Sequence, residues 1–273
     1  MIQNIKNFNL DQIAESGQCF RWRKLDEGKY LIPAYDHCVT VSQSGERFEF
    51  SCSEEEFNQI WKHYFDLELD YGKIIEAIPA DDSFLKEAAA YGRGIRILKQ
   101  ELWEMIISYI ISQNNNIPRI KNGIEAVCDK YKAVICKSDN ADEENIIYGF
   151  PRFEDIEKNG GRQSLSELGL GYRDEYIWLM CTHEANNPNF LCDLRACDYE
   201  QSMKVLMEHK GIGKKVANCI SLFGLHNLDA CPIDVWMKKI IDEEYGGVMP
   251  KWMNNRYAGI YQQYTFFFKR KNK

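Results

Sequence analysis

Along the first 52 residues, apolar and polar side chains alternate with a period of two. Phe20–Arg23 alternates apolar and basic positions, and Lys29–Pro33 follows the Asp26-Glu27-Gly28 turn. Cys38–Val41 alternates again, as does Arg47–Phe50 after Ser44-Gly45. Alternation sends successive side chains to opposite faces of a strand, and glycine-containing turns between such runs make hairpins. An antiparallel sheet is predicted. From Ser53 the period becomes helical. Ser53-Glu54-Glu55-Glu56 has capping-box spacing, and Phe57, Ile60, Trp61 and Tyr64 share one face. Further helices are predicted over residues 71–78, 82–90, 101–113, 117–131, 198–209, 214–224, 234–244 and 255–268. A sheet followed by a run of helices predicts an α+β chain, with an antiparallel-sheet domain carrying some helices over residues 1–97 and a helical region over 98–273.

With 273 residues, 45% hydrophobic and 27% charged, the chain has ample material for a core. That composition excludes disorder, collagen and coiled coil. The longest apolar stretch, Met105–Ile111, is interrupted by Ser108 and Tyr109, and a membrane-spanning helix needs about 20 residues. The opening MIQNIKNFNLDQ lacks the charged head and apolar run of a secretory signal. An intracellular protein with no membrane partner is expected, in the cytoplasm or nucleoid if the source is bacterial. The ten cysteines include no C-x-x-C pair, and none group at the spacing of a zinc or iron–sulfur site. Most are expected to be buried thiols, with no metal.

A net charge of −7 argues against a nucleic-acid partner until its distribution is considered. Residues 54–70 and 138–158 each carry a local charge of −5, which leaves +3 for the rest. The last 23 residues hold Lys251, Arg256, Lys269, Arg270, Lys271 and Lys273 with no acid. A polyanion responds to the local field, screened over about 10 Å, and not to the total. A solvated basic tail reads the same residues equally well.

The densest local feature is the run from Met207 through Gly211-Ile212-Gly213-Lys214-Lys215 to Cys219. Asp198 and Gln201 resemble a capping box for the helix before it, and glycines able to take positive φ allow a tight hairpin. Backbone N–H groups at the next helix start, with Lys214 nearby, make a phosphate site. An ordinary αα-hairpin with solvated lysines is the plainer reading. A Walker A loop is excluded by the spacing. Val216, Ile220 and Phe223 form a buried stripe, and Lys215 and Cys219 lie one turn apart beside it. Asp234, two residues past Pro232, is placed to cap the following helix. It could equally serve as the electrostatic partner of an amine nucleophile.

Gly211-Ile212-Gly213-Lys214-Lys215 followed by Pro232-Ile233-Asp234-Val235 resembles the helix-hairpin-helix and Gly/Pro…Asp motif of the base-excision DNA glycosylases. Within that superfamily the chain resembles the 8-oxoguanine DNA glycosylase/lyases. Further matches run almost end to end: Ser16-Gly17-Gln18-Cys19-Phe20-Arg21-Trp22, Ile111 through Asn114-Asn115-Asn116-Ile117, Leu168 through Arg173, and Ala258-Gly259 through Phe266.

The resemblance implies a substrate, duplex DNA carrying 8-oxoguanine, and a monomeric enzyme that needs no cofactor. It makes Lys215, not Lys214, the nucleophile that attacks C1′, expels the base and leaves a Schiff base open to β-elimination. Such an amine must be neutral, which at pH 7 costs an unperturbed lysine about 4–5 kcal/mol. Asp234 would stabilise positive charge developing on the sugar. Phe266 and Cys219 would wall the pocket for a flipped base, with Gln262 on its Watson–Crick edge. Phe267 and Phe268 are read as packing only. The carbonyl of Gly17 would accept the proton that the lesion carries on N7 and guanine lacks. Asn114 would fill the gap, Tyr172 would wedge beside it, and Arg119 and Arg173 would read the estranged cytosine. Gly211, Gly213 and Lys214 would hold phosphate. One departure is Trp236, where many relatives carry a histidine, which puts a phosphate contact there in doubt.

Overall fold

The computed structural model describes residues 1–137 and 146–272, so part of the second acidic segment and Lys273 lie outside the described residues. Strands β1 (Ile2–Asn4), β2 (Arg23–Asp26), β3 (Lys29–Ala34), β4 (His37–Ser44) and β5 (Arg47–Phe50) form one antiparallel sheet in the order β1-β5-β4-β3-β2. Register pairs Tyr30 with Val41, Ile32 with Val39 and Val41 with Phe50, so alternation puts those side chains on one buried face. Helix α1 (Leu10–Glu15) and the helical segment from Glu54 to Tyr64 cover that face with Leu10, Ile13, Phe57, Trp61 and Tyr64. Only half of the capping box at Ser53 forms. The Ser53 hydroxyl accepts from Glu56 N at 3.1 Å, but the Glu56 carboxylate turns to Trp61 Nε1 at 2.8 Å, and a π turn follows over Phe57–Trp61.

The helical region comprises α2 (Ser83–Tyr91), α3 (Leu102–Ile111), α4 (Ile117–Tyr131), α5 (Arg173–Asn186), α6 (Tyr199–Met207), α7 (Lys214–Gly224), α8 (Val235–Tyr245) and α9 (Ala258–Lys271), with several shorter helices. A hairpin of β6 (Val134–Lys137) and β7 (Ile146–Tyr148) follows α4. Every residue of α3 except Glu104 is buried; this helix lies against α7, while α9 packs on α2 and α8. Helix α5 escapes the periodicity argument because its buried Ile177, Met180 and Cys181 are diluted by charged neighbours, with Leu179 exposed between them.

Two segments join sheet to helices. The expected strand at Phe20–Arg23 begins only at Arg23, because Phe20 packs edge-on to Tyr109 of α3 and Arg21 pairs with Glu104 at 2.8 Å. Gln18 is fully buried and accepts from Leu98 N at 2.9 Å, while its amide donates to the Arg96 carbonyl at 2.8 Å and its own carbonyl accepts from Gln100 at 2.9 Å. These bonds hold the neighbouring Gly17 against the helical region.

Three expectations need correction. Cys38 is disulfide-bonded, whereas Cys19, Cys52, Cys128, Cys181, Cys192, Cys197, Cys219 and Cys231 are free thiols. The basic C-terminus is not a solvated tail. It is helical to Lys271, with Lys269 paired to Glu243 and Glu244 and Lys271 to Glu15. Finally, Gly213 has an ordinary extended φ of −86°, so Gly211 alone supplies the positive φ of the hairpin. Among the described residues no helix is long and apolar enough to cross a membrane, and no His/Cys/Asp/Glu cluster could hold a metal.

Candidate active site

The hairpin before α7 is built by its sequence. Asp198 and Gln201 form a complete capping box for α6, Gln201 N to Asp198 Oδ1 at 2.8 Å and Asp198 N to Gln201 Oε1 at 3.1 Å. Gly211 turns the chain at φ +91°, and a Cβ there would lie 2.3 Å from the Tyr176 ring. No L side chain fits under that ring. Gly213 caps α7 with no side-chain hydrogen bond and no heavy atom within 4 Å of its Cβ position, which leaves the first N–H groups of the helix open to an anion. Lys214 is exposed beside them, whereas Lys210 is held by Glu175 at 2.6 Å.

Lys215 is half-buried on α7, its ammonium 5.9 Å from the centre of the Tyr109 ring. It lies one helical turn before Cys219, whose thiol is buried. Burial pushes that thiol's pKa up, Lys215 opposes the shift and Asp234 reinforces it. A thiol held above its ordinary range stays neutral near pH 7 and does not compete with the amine as a nucleophile. Lys215 and Asp234 are thus both near enough for their charges to be felt at the Cys219 thiol. Asp234 caps α8 through a single oxygen, Oδ1 accepting from Trp236 N at 3.0 Å and Met237 N at 2.9 Å. The cap therefore leaves Oδ2 for other work.

Helix α9 carries two further candidate residues. Gln262 is buried, its Oε1 accepting from Gln263 at 3.0 Å, and Phe266 follows one turn later. Gly17 stands at φ +84° with its Cβ position 3.6 Å from Phe266 Cε1, so conformation rather than contact calls for glycine there. Phe267 and Phe268 pack on Tyr91 at 5.7 and 5.5 Å between ring centres, as read from the sequence.

A third group sits at the surface. Asn114 is exposed at φ +46° and donates to the Tyr172 hydroxyl at 3.1 Å. Tyr172 is 46% exposed at the start of α5. Asn116 caps α4 by accepting from Arg119 N at 3.0 Å, which leaves the exposed Arg119 guanidinium at the rim. Arg173 is differently engaged. It donates to the carbonyls of Gln113 at 3.0 Å, Leu170 at 3.0 Å and Asn114 at 3.4 Å, and covers the Tyr172 ring at 4.7 Å. Its first role is to clamp the Asn114 turn to the Tyr172 helix.

Tyr109, Tyr176 and Arg270 also line these groups and were not singled out in the sequence. Tyr109 lies in an almost wholly apolar stretch, Tyr176 follows the charged run Arg173-Asp174-Glu175, and Arg270 is one of several basic residues near the C-terminus, so no pattern marks any of the three.

Residues 1–106 match the family model for the N-terminal domain of 8-oxoguanine DNA glycosylase. The N-glycosylase/DNA lyase of Saccharomyces cerevisiae is 29% identical over 86% of this chain and 68% of its own length. That of Arabidopsis thaliana is 26% identical over 81% of this chain, which spans only 62% of the plant protein. The 8-oxoguanine glycosylase/lyase of Clostridium acetobutylicum, solved with duplex DNA carrying cytosine opposite 8-oxoguanine, superposes with a TM-score of 0.89. It is 32% identical, and the alignment covers 99% of this chain and 95% of that one. Sharing that fold over almost its whole length at 32% identity, this chain belongs to the 8-oxoguanine DNA glycosylase/lyase family of the helix-hairpin-helix superfamily.

Proposed function

We propose that the protein excises 8-oxoguanine paired with cytosine in duplex DNA and then cleaves the strand at the abasic site, acting as a monomer. The observation that carries this reading is the half-buried Lys215 one turn before the buried Cys219 on α7, with Asp234 at the head of α8 capping through one oxygen and keeping the other. A hairpin that only gripped phosphate would need neither the half-buried amine nor the carboxylate.

In this mechanism the hairpin N–H groups and Lys214 hold the backbone, and Asn114 and Tyr172 occupy the space vacated by the flipped base. The base stacks between Phe266 and Cys219, with Gln262 on its Watson–Crick edge and the Gly17 carbonyl accepting from N7–H. Guanine would set a lone pair against that carbonyl, and a buried unsatisfied acceptor costs about 1–3 kcal/mol. Lys215 as free amine attacks C1′, and the base departs with the bonding electrons and is protonated. Asp234 Oδ2 faces the sugar as it becomes cationic. The ring opens to an imine on Lys215, and loss of a C2′ proton expels the 3′-phosphate.

Borohydride trapping on an 8-oxoguanine:cytosine duplex tests substrate and intermediate together. A covalent adduct is expected with the wild type and none with Lys215→Gln. No adduct with the wild type, or an undiminished one with the variant, overturns the mechanism.

A further inference from the structure

Arg270 lies one turn beyond Phe266 on α9, its guanidinium carbon 5.2 Å from the centre of that ring. Nη2 donates to the carbonyl of Glu15, at the end of α1. Nη1 is buried and has no hydrogen-bond partner among the described residues. It stands 3.6 Å from the Cβ position of Gly17, as close as Phe266 Cε1 does. Burial lowers the pKa of this guanidinium, partly offset by Glu15. A charged donor left buried without an acceptor is costly, and such groups in native proteins call for an explanation. Nor does any hydrogen bond among the described residues reach the carbonyl of Gly17. An unused donor therefore lies in van der Waals reach of a glycine whose carbonyl is also unused, with Phe266 beside both residues.

Their pairing has a chemical counterpart. Relative to guanine, 8-oxoguanine gains a hydrogen on N7 and an oxygen on C8, two adjacent atoms that form a cis-amide edge. Such an edge offers one donor beside one acceptor. A complete reader needs an acceptor beside a donor. We propose that Arg270 is a specificity-determining residue that donates from Nη1 to the C8 oxygen of the flipped lesion, next to the Gly17 carbonyl that accepts from N7–H. This rests on the proposed function for its substrate and adds the residue that reads the oxygen itself. Guanine would present C8–H to the same nitrogen and leave it unpaired, so one base change is penalised at two neighbouring contacts.

Arg270→Met keeps an unbranched stem over Phe266 and removes the donors; Arg270→Lys restores one shorter donor. Three quantities are measured for each: single-turnover excision from an 8-oxoguanine:cytosine duplex, strand cleavage at a preformed abasic site opposite cytosine, and affinity for undamaged duplex. Arg270→Met is expected to slow excision about ten- to a hundredfold, the loss of one charge-assisted hydrogen bond. Abasic cleavage, which involves no base, and affinity for undamaged duplex should stay within about twofold, since neither uses this contact. Arg270→Lys should recover part of the loss. Unchanged excision in Arg270→Met overturns the proposal. Equal loss of excision and abasic cleavage overturns it in favour of a role in holding the fold. Weaker binding to undamaged duplex overturns it in favour of a phosphate contact. A wild type that cleaves the abasic site but leaves 8-oxoguanine in place instead overturns the substrate on which it rests.

Discussion

Asn114 and Tyr172 lie on different helical connections, 58 residues apart in the chain, yet they share a 3.1 Å hydrogen bond at the protein surface. Arg173 secures the pair from behind by binding the carbonyls of Gln113 and Asn114. A gap-filling side chain works best when its position is fixed before DNA arrives, since ordering it on binding costs about 0.5–1.5 kcal/mol. Tyr172→Phe should therefore slow excision by at most about fivefold, the worth of one net hydrogen bond. In the proposed mechanism Asn114→Ala removes the filler itself, and it should slow excision from duplex more than Tyr172→Phe does. Single-turnover rates on the 8-oxoguanine:cytosine duplex compare the two, and a larger loss in Tyr172→Phe would refute this division of roles.

The two adjacent hairpin lysines should separate cleanly. Lys215 is half-buried over Tyr109, whereas Lys214 is exposed beside the open N–H groups of α7. Lys215→Gln should abolish excision and trapping while leaving undamaged-DNA affinity largely intact. Lys214→Gln should remain competent in trapping, bind more weakly and lower the slope of log K against log salt by about one. An inactive Lys214→Gln with an active Lys215→Gln would exchange their roles. A salt-independent wild type would remove the phosphate contacts altogether.

The sequence exposes those parts of the site that depend on short-range geometry. Lys215 and Cys219 are one helical turn apart, Asp234 follows a proline that fixes a helix start, and Gly211 sits where only positive φ closes the hairpin. The sheet is legible because Tyr30, Ile32, Val39 and Val41 alternate, and a period of two has few other meanings. What stays hidden depends on distant partners. The clamp of Arg173 acts through carbonyls, which carry no side-chain identity. The basic C-terminus is matched by Glu15, Glu243 and Glu244, of which Glu15 lies at the other end of the chain. Tyr109 belongs to a helix buried nearly all round, where no stripe marks the residue that faces the site.

Stability should show its own dependence on pH through Asp66. Burial raises the pKa of this carboxyl, but His226 and Lys99 outweigh burial and hold it below the ordinary range. Lys99 Nζ lies at 3.0 Å, His226 Nε2 at 3.3 Å and the Tyr71 hydroxyl at 3.0 Å. A lowered carboxylate adds stability above its unfolded pKa of about 3.9, and that contribution is lost as pH falls through the folded value. Asp66→Asn keeps a residue tolerant of the φ of +51° found here. It should destabilise the fold by about 3 kcal/mol at pH 7, with a smaller deficit below pH ~4. Urea melts of both proteins at pH 7 and at low pH test this. A deficit that does not change with pH would remove Asp66 from the acid response.

The partner base supplies the last prediction. Arg119 projects from the first turn of α4, and among the described residues no hydrogen bond or ion pair reaches its guanidinium. Arg173 already gives Nε, Nη1 and Nη2 to backbone carbonyls. Cytosine left without its partner offers O2 and N3 as acceptors, which match a free guanidinium. Adenine is bulkier and presents a different edge, and a mismatched position of this kind costs about 1–3 kcal/mol. Excision opposite cytosine should therefore be at least about tenfold faster than opposite adenine. Arg119→Ala should flatten that preference. Arg173→Ala should slow all four duplexes alike, because it loosens the Asn114 turn whatever the partner base. Single-turnover rates on the four duplexes decide among these outcomes. Equal wild-type rates opposite cytosine and adenine would show that neither arginine reads the base. A preference that survives Arg119→Ala but disappears in Arg173→Ala would assign the reading to the N–H that Arg173 keeps free of its carbonyl clamp.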